Sequence, residues 1–110
     1  MKLPNGQRAF IDIAKILDYS LSPYHPEGKH KARVFKAALG LEISDADWLR
    51  DELLKAAATH SCELGRATSY GQRYLMDFPV TRHGRTAMLR SAWLLRTGEE
   101  FPRLVSCYVL

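Results

Sequence analysis

Phosphate chemistry is the first chemistry that the residue types of this 110-residue chain suggest. The segment Pro23-Tyr24-His25-Pro26-Glu27-Gly28-Lys29-His30-Lys31 sets a histidine in a proline-stiffened loop, directly ahead of a run of cations. An imidazole titrating near neutrality suits general acid or base work, so His25 is a candidate catalytic residue. Cations at the start of a helix oppose its dipole, a placement more easily understood if an anion sits there. Lys29, His30 and Lys31 are the candidates to hold it, and phosphate is the commonest such anion. Lys29, Arg33 and Lys36 recur at helical spacing and read equally as a solvated helix face, whereas Lys31 falls toward the buried flank. A third group, Arg73, Arg90, Ser106 and Tyr108, with Tyr70 and Gln72 nearby, sets two guanidiniums beside two hydroxyls. Such a set binds a phosphodiester and neutralises charge developing on it, or it is the ordinary polar outer face of a half-exposed sheet.

Other chemistries find little support. His25 and His30 do not match metal-ligand spacing and no carboxylate pair completes a site, so neither a metal nor a cofactor is expected. There is no G-x-S-x-G, no P-loop, no G-x-G-x-x-G and no glutamate pair of the kind that cleaves glycosides.

Composition fits one globular domain over residues 1–110, with 46% hydrophobic and 25% charged residues. Sixteen Lys and Arg against twelve Asp and Glu give a net charge of +4, which mildly favours polyanionic partners. The charge is polarised along the chain. Lys29, His30, Lys31, Arg33 and Lys36 stand together without an acid, and Asp45, Asp47, Asp51 and Glu52 follow. No stretch approaches the roughly 20 apolar residues of a membrane helix, so no membrane partner is expected. Met1 to Gln7 lacks a signal-type apolar core, and Cys62 and Cys107 read as reduced thiols, so a cytoplasmic location is expected.

The elements that must position these groups change period halfway along the chain. Asp12, a candidate N-cap, precedes Ile13, Ile16 and Leu17, which predicts a helix over about 12–20. A second helix over Lys29–Leu39 carries Ala32, Phe35, Ala38 and Leu39 inward and ends at Gly40. A third opens at Ser44 as its cap and runs to about Thr59. Alternation then predicts a strand over Arg73–Val80, a turn at Arg82–Arg85, a strand over 86–96 and a last one over Leu104–Leu110. Pro79 argues for an edge position or a bulge near the end of the first strand. The expected fold is α+β, with three N-terminal helices packed on one face of a three-stranded antiparallel C-terminal sheet. Centring the turn on His83-Gly84 pairs Asp77 with Arg90 and Tyr74 with Trp93. Tyr74, Met76, Phe78, Leu89, Ser91, Trp93, Val105, Cys107 and Val109 then face the core, leaving Ser106 and Tyr108 beside Arg73, Asp77 and Arg90.

Four stretches carry a likeness to a known group. They are Leu3-Pro4-Asn5-Gly6, the run from His25 to Phe35, Tyr70-Gly71-Gln72-Arg73-Tyr74, and Phe101-Pro102-Arg103-Leu104-Val105 with Tyr108. Together, and in this order, they resemble a bacterial family of small domains of unknown function over nearly the whole chain. Members look like stand-alone short proteins or the C-terminal domains of polymorphic toxins, and that context, with helices leading into an antiparallel sheet, is similar to the barnase/EndoU/colicin/RelE-like ribonucleases. The resemblance implies metal-independent RNA cleavage, in which the 2′-oxygen attacks the adjacent phosphorus and an acid protonates the leaving 5′-oxygen. It casts His25 as base or acid, Lys31, Arg73 and Arg90 as phosphate holders, and Ser106 or Tyr108 as the group that orients the phosphate. Tyr70 would stack a base, and Lys29, His30 and Arg33 would carry further RNA contacts. A non-catalytic module that binds nucleic acid or a neighbouring antitoxin or immunity protein needs only the basic helix and a free sheet edge. The apolar last strand also admits pairing with a second copy. The cleavage reading requires that His25, the cations of the second helix and the sheet guanidiniums converge in space.

Overall fold

The turn at His83-Gly84 fixes the sheet. A computed structural model of the protein describes residues 1–110. Both turn residues have positive φ, 51° and 78°, the conformation whose twist suits a two-residue hairpin. They join β2 (Gly71–Arg82) to β3 (Arg85–Arg96), paired from Gly71↔Arg96 to Arg82↔Arg85. Asp77 faces Arg90 and Tyr74 faces Trp93, the register that the alternation predicts.

The sheet has four strands, not three. β1 (Glu63–Thr68) and β4 (Arg103–Val109) flank the hairpin in the antiparallel order β1-β2-β3-β4. β1 escapes the sequence because it is an edge strand with a bulge between Leu64 and Ala67, and none of its side chains is buried. Without a buried face there is no alternation to read. β1 reaches only as far as Leu75 on β2, so Pro79 lies where β2 has a neighbour on one flank alone. A second bulge between Ala92 and Trp93 on the β3–β4 ladder corrects the inward set. Leu104, not Val105, pairs with Trp93 and is buried, while Val105 is half-buried.

The helical half also departs from expectation. The first helix is shorter than expected and wound differently: Asp12 Oδ1 accepts from the Ala14 amide at 3.0 Å, and the helical stretch over 14–20 is a π-helical turn at Ile16–Ser20. Ile16 and Ser20 are its buried residues. α1 (Gly28–Leu39) ends on Gly40 in the left-handed region, where the Gly40 and Leu41 amides close onto Lys36 and Phe35. Ser44 is not a cap. A 3-10 turn over Ile43–Asp45 leads into α2 (Ala46–Thr59), and Glu42 and Asp45 close a reciprocal capping box around it.

Both helices pack on one sheet face, where Trp93, Phe35, Phe78, Leu49, Leu53 and Met76 form the centre of the core. The Ser91 hydroxyl is sunk in it. Ser91 Oγ donates to the Met76 carbonyl at 3.1 Å and accepts from Trp93 Nε1 at 2.9 Å. Ser91→Ala strands the indole N–H and is expected to cost about 1–3 kcal/mol, read from denaturant unfolding. The opposite sheet face, with Leu75, Asp77, Met88 and Arg90, carries no helix.

Candidate functional site

The loop ahead of α1 is shaped by side chains that satisfy its own backbone. Buried Ser22 accepts from the Tyr24 and His25 amides at 3.2 and 3.3 Å. His25 Nδ1 in turn accepts from the Glu27 and Gly28 amides at 3.1 and 2.9 Å. The imidazole thus does the work that Ser, Asp or Asn usually does at a helix start. With Nδ1 accepting twice, the ring proton belongs on Nε2, and that edge donates rather than accepts. This bears on the expected acid–base role, because a base at Nε2 needs the lone pair that this tautomer lacks.

His25 leads to Lys31 through Tyr19, which no motif or period singles out. The Tyr19 ring meets the His25 ring edge-on at 4.6 Å, and its hydroxyl accepts from Lys31 Nζ at 3.2 Å. Lys31 Nζ also lies 5.3 Å from the centre of the Tyr108 ring, at the β4 edge. Lys31 has no carboxylate partner, which makes its ammonium the free charge of the cluster.

Tyr108 carries the cluster onto the sheet. It sits in one cross-strand row with Arg90 and Asp77. Arg90 grips Asp77 in a two-pronged pair at 2.8 and 2.9 Å. Hydrogen bonding from Arg90 holds the Asp77 carboxyl below its ordinary range. Asp77 first, and Tyr108 second, bind the Arg90 proton more firmly than usual. Ser106 lies on the same face, opposite Ala92.

The remaining candidates lie elsewhere. Arg73 forms a second row with Leu94 and Arg103, four residues further along β2 and β3, or roughly 13 Å away. Tyr70 is exposed at the β1–β2 turn. Lys29 and Arg33 line a cleft of about 510 Å³ floored by Leu21, Ala32 and Leu41, and neither has an ion-pair partner. Lys36 on the same rim pairs with Glu42 at 3.1 Å. His30 is exposed on α1. Of the ten candidates, His25, Lys31, Tyr108 and Arg90 are therefore brought into one connected cluster. Tyr19 could have been suspected only from its place ahead of the His25 loop.

A family model described as a domain of unknown function, DUF6883, matches residues 2–110. The chain belongs to this family. No curated protein and no solved structure matches the chain.

In this DUF6883 domain, the four stretches that carry the likeness each have a physical task. Gly28 packs so closely on the π-helical turn that an added Cβ would overlap the Tyr19 carbonyl oxygen. Gly6 meets the Ala57 carbonyl in the same way, holding the N-terminal segment to the end of α2. Lys31 and Tyr108 supply the cluster, and Arg73 and Arg103 the second row. No three His, Cys, Asp or Glu side chains gather as metal ligands would, and no helix is long and apolar enough to cross a membrane. Both thiols are buried and free. Burial pushes the Cys107 thiol up to about 11 and also raises Cys62. Because the thiolate is the reactive form, neither is expected to react with a thiol reagent between pH 7 and 9 until denaturant is added, as mass spectrometry would show.

Proposed function

We propose that this domain is a toxin-like ribonuclease that grips an RNA phosphate at the β4 edge and cleaves the strand without a metal ion. The observation that supports this reading is the meeting of His25, Lys31 and Tyr108, drawn from two distant motifs, around a single unpaired ammonium. Helices leading into an antiparallel meander are also the element order from which the analogy to the barnase/EndoU/colicin/RelE-like ribonucleases is drawn.

In this reading Lys31 and Arg90 neutralise the charge that develops on the phosphate oxygens, and His25 Nε2–H donates to one of them. The 2′-oxygen bonds to phosphorus as the bond to the 5′-oxygen breaks, leaving a 2′,3′-cyclic phosphate and a 5′-hydroxyl. The 2′ proton leaves to a base and the departing 5′-oxygen takes up a proton. The Tyr19 hydroxyl, which accepts from the ammonium, is the group in reach to relay them, and the Tyr108 ring closes the other side. The cytoplasm, where RNA and reduced thiols are found, is the compartment this activity requires.

A specific observation favours a second reading. The cleft beside Lys29 and Arg33 joins an apolar floor to free cations, which suits a non-catalytic module that binds nucleic acid or an acidic segment of an antitoxin or immunity protein. The His25 cap fits that module as well, since it needs no proton transfer. Incubating the purified protein with total RNA in EDTA separates the two. Fragmentation supports cleavage; salt-sensitive binding to intact RNA supports the module and sinks the enzyme.

A further inference from the structure

Arg73 and Arg103 come from two of the four motif stretches, yet neither reaches the Lys31 cluster. With Lys15 and Arg96 they wall a separate pocket of about 210 Å³ over Phe10, Leu94 and Leu104. We infer that this pocket binds a phosphate monoester. The inference goes beyond the cleavage reading and stands without it.

Charge is the first reason. The four cations are opposed by only two carboxylates, Asp12 in the wall and Glu99, which holds Arg103 at 2.9 Å and Arg96 at 3.4 Å. Lys15 and Arg73 have no acidic partner. Two positive charges are left over. A carboxylate or a phosphodiester would offset one, whereas a monoester carries about −1.5 to −2 near pH 7.

Preorganisation is the second. The Arg103 guanidinium lies 5.0 Å from the Phe10 ring centre and 5.1 Å from that of Phe101, the two rings standing edge-to-face. Glu99 occupies its Nε, which leaves its terminal nitrogens to a ligand. The wall behind it is fixed by backbone bonds from Phe10 N to Pro102 O and from Leu104 N to Phe10 O, at 2.9 and 3.0 Å. The volume falls below the roughly 300 Å³ where drug-sized clefts begin, and suits a phosphoryl group with part of its sugar.

The same chemistry is offered by the terminal phosphate of a nucleic acid strand and by free phosphate, and two arms of one titration distinguish them. Inorganic phosphate is titrated calorimetrically into the intact protein. Matched 2′-O-methyl oligonucleotides, which resist cleavage, are then compared with a 5′-phosphate and a 5′-hydroxyl end. Saturable phosphate binding is expected in the first arm. A strand end as ligand adds a preference of roughly tenfold for the phosphorylated oligonucleotide. Equal oligonucleotide affinities alongside phosphate binding assign the pocket to free phosphate. In the Lys31→Ala background, which removes the proposed RNA-phosphate grip, the phosphate response is expected to persist, and Arg73→Gln and Lys15→Gln are each expected to abolish it there. No saturable phosphate binding, or binding that survives both pocket variants, overturns the inference.

Discussion

Lys31→Ala is expected to lower RNA cleavage by about 100-fold or more while shifting the unfolding midpoint little. Removing one donor that neutralises charge in a phosphoryl-transfer transition state costs on that order. Lys31 is the only free ammonium between the Tyr19 and Tyr108 rings, and the neighbouring Arg90 is already held by Asp77. Its side chain is half-buried at the edge of the fold and belongs to no core cluster, so the truncation leaves no cavity among the apolar residues. Lys31→Arg keeps the charge but not its compact shape, and an intermediate rate is expected. Single-turnover cleavage of a labelled oligoribonucleotide in EDTA, beside thermal melts of the same samples, reads both quantities. An alanine variant that cleaves at the wild-type rate would place the chemistry elsewhere.

Gly28→Ala acts on the same site from the opposite direction. The new methyl group must occupy the position of the Tyr19 carbonyl oxygen, with the carbonyl carbon also close behind it. Both are backbone atoms, so no rotamer change relieves the contact. Either α1 moves away from the Ile16–Ser20 turn or the turn unwinds, at an expected cost of about 3 kcal/mol, the upper end of ordinary overpacking. Tyr19 also contacts His25 and Lys31, so the loss extends to function: cleavage should fall even at temperatures where the variant remains folded. Chemical unfolding and the cleavage assay on one preparation separate the two effects. A variant of wild-type stability would show that the helix and the turn are not packed this closely.

The parts legible in the sequence are those where a buried face imposes a period. Tyr74, Met76, Phe78 and Val80 alternate because one side of β2 is sealed by helices, and the His83-Gly84 turn then dictates every partner on β3. Tyr108 could be put beside Arg90 for the same reason. β1 is not legible because none of its side chains is buried, so it shows no alternation. The π-helical turn is not legible because Ile13, Ile16 and Leu17 fit an ordinary helix equally well.

The candidate site divides along similar lines. Arg73 and Arg90 share a face, as the alternation demands, yet four residues of strand separate them into two rows. A face assignment carries no distance along the strand. The His25 cap depends on a loop bent back by Ser22, which no periodicity reports. Tyr19 joins His25 to Lys31 only because a turn and a helix far apart in pattern pack together.

The most direct test uses a DNA oligonucleotide bearing one ribose, incubated with the protein in EDTA, its products resolved by mass spectrometry. Scission only after the ribose, leaving a 2′,3′-cyclic phosphate on one fragment and a 5′-hydroxyl on the other, is the predicted result. Full-length oligonucleotide recovered after prolonged incubation with demonstrably folded protein, or breakage of an all-deoxy control, would contradict it.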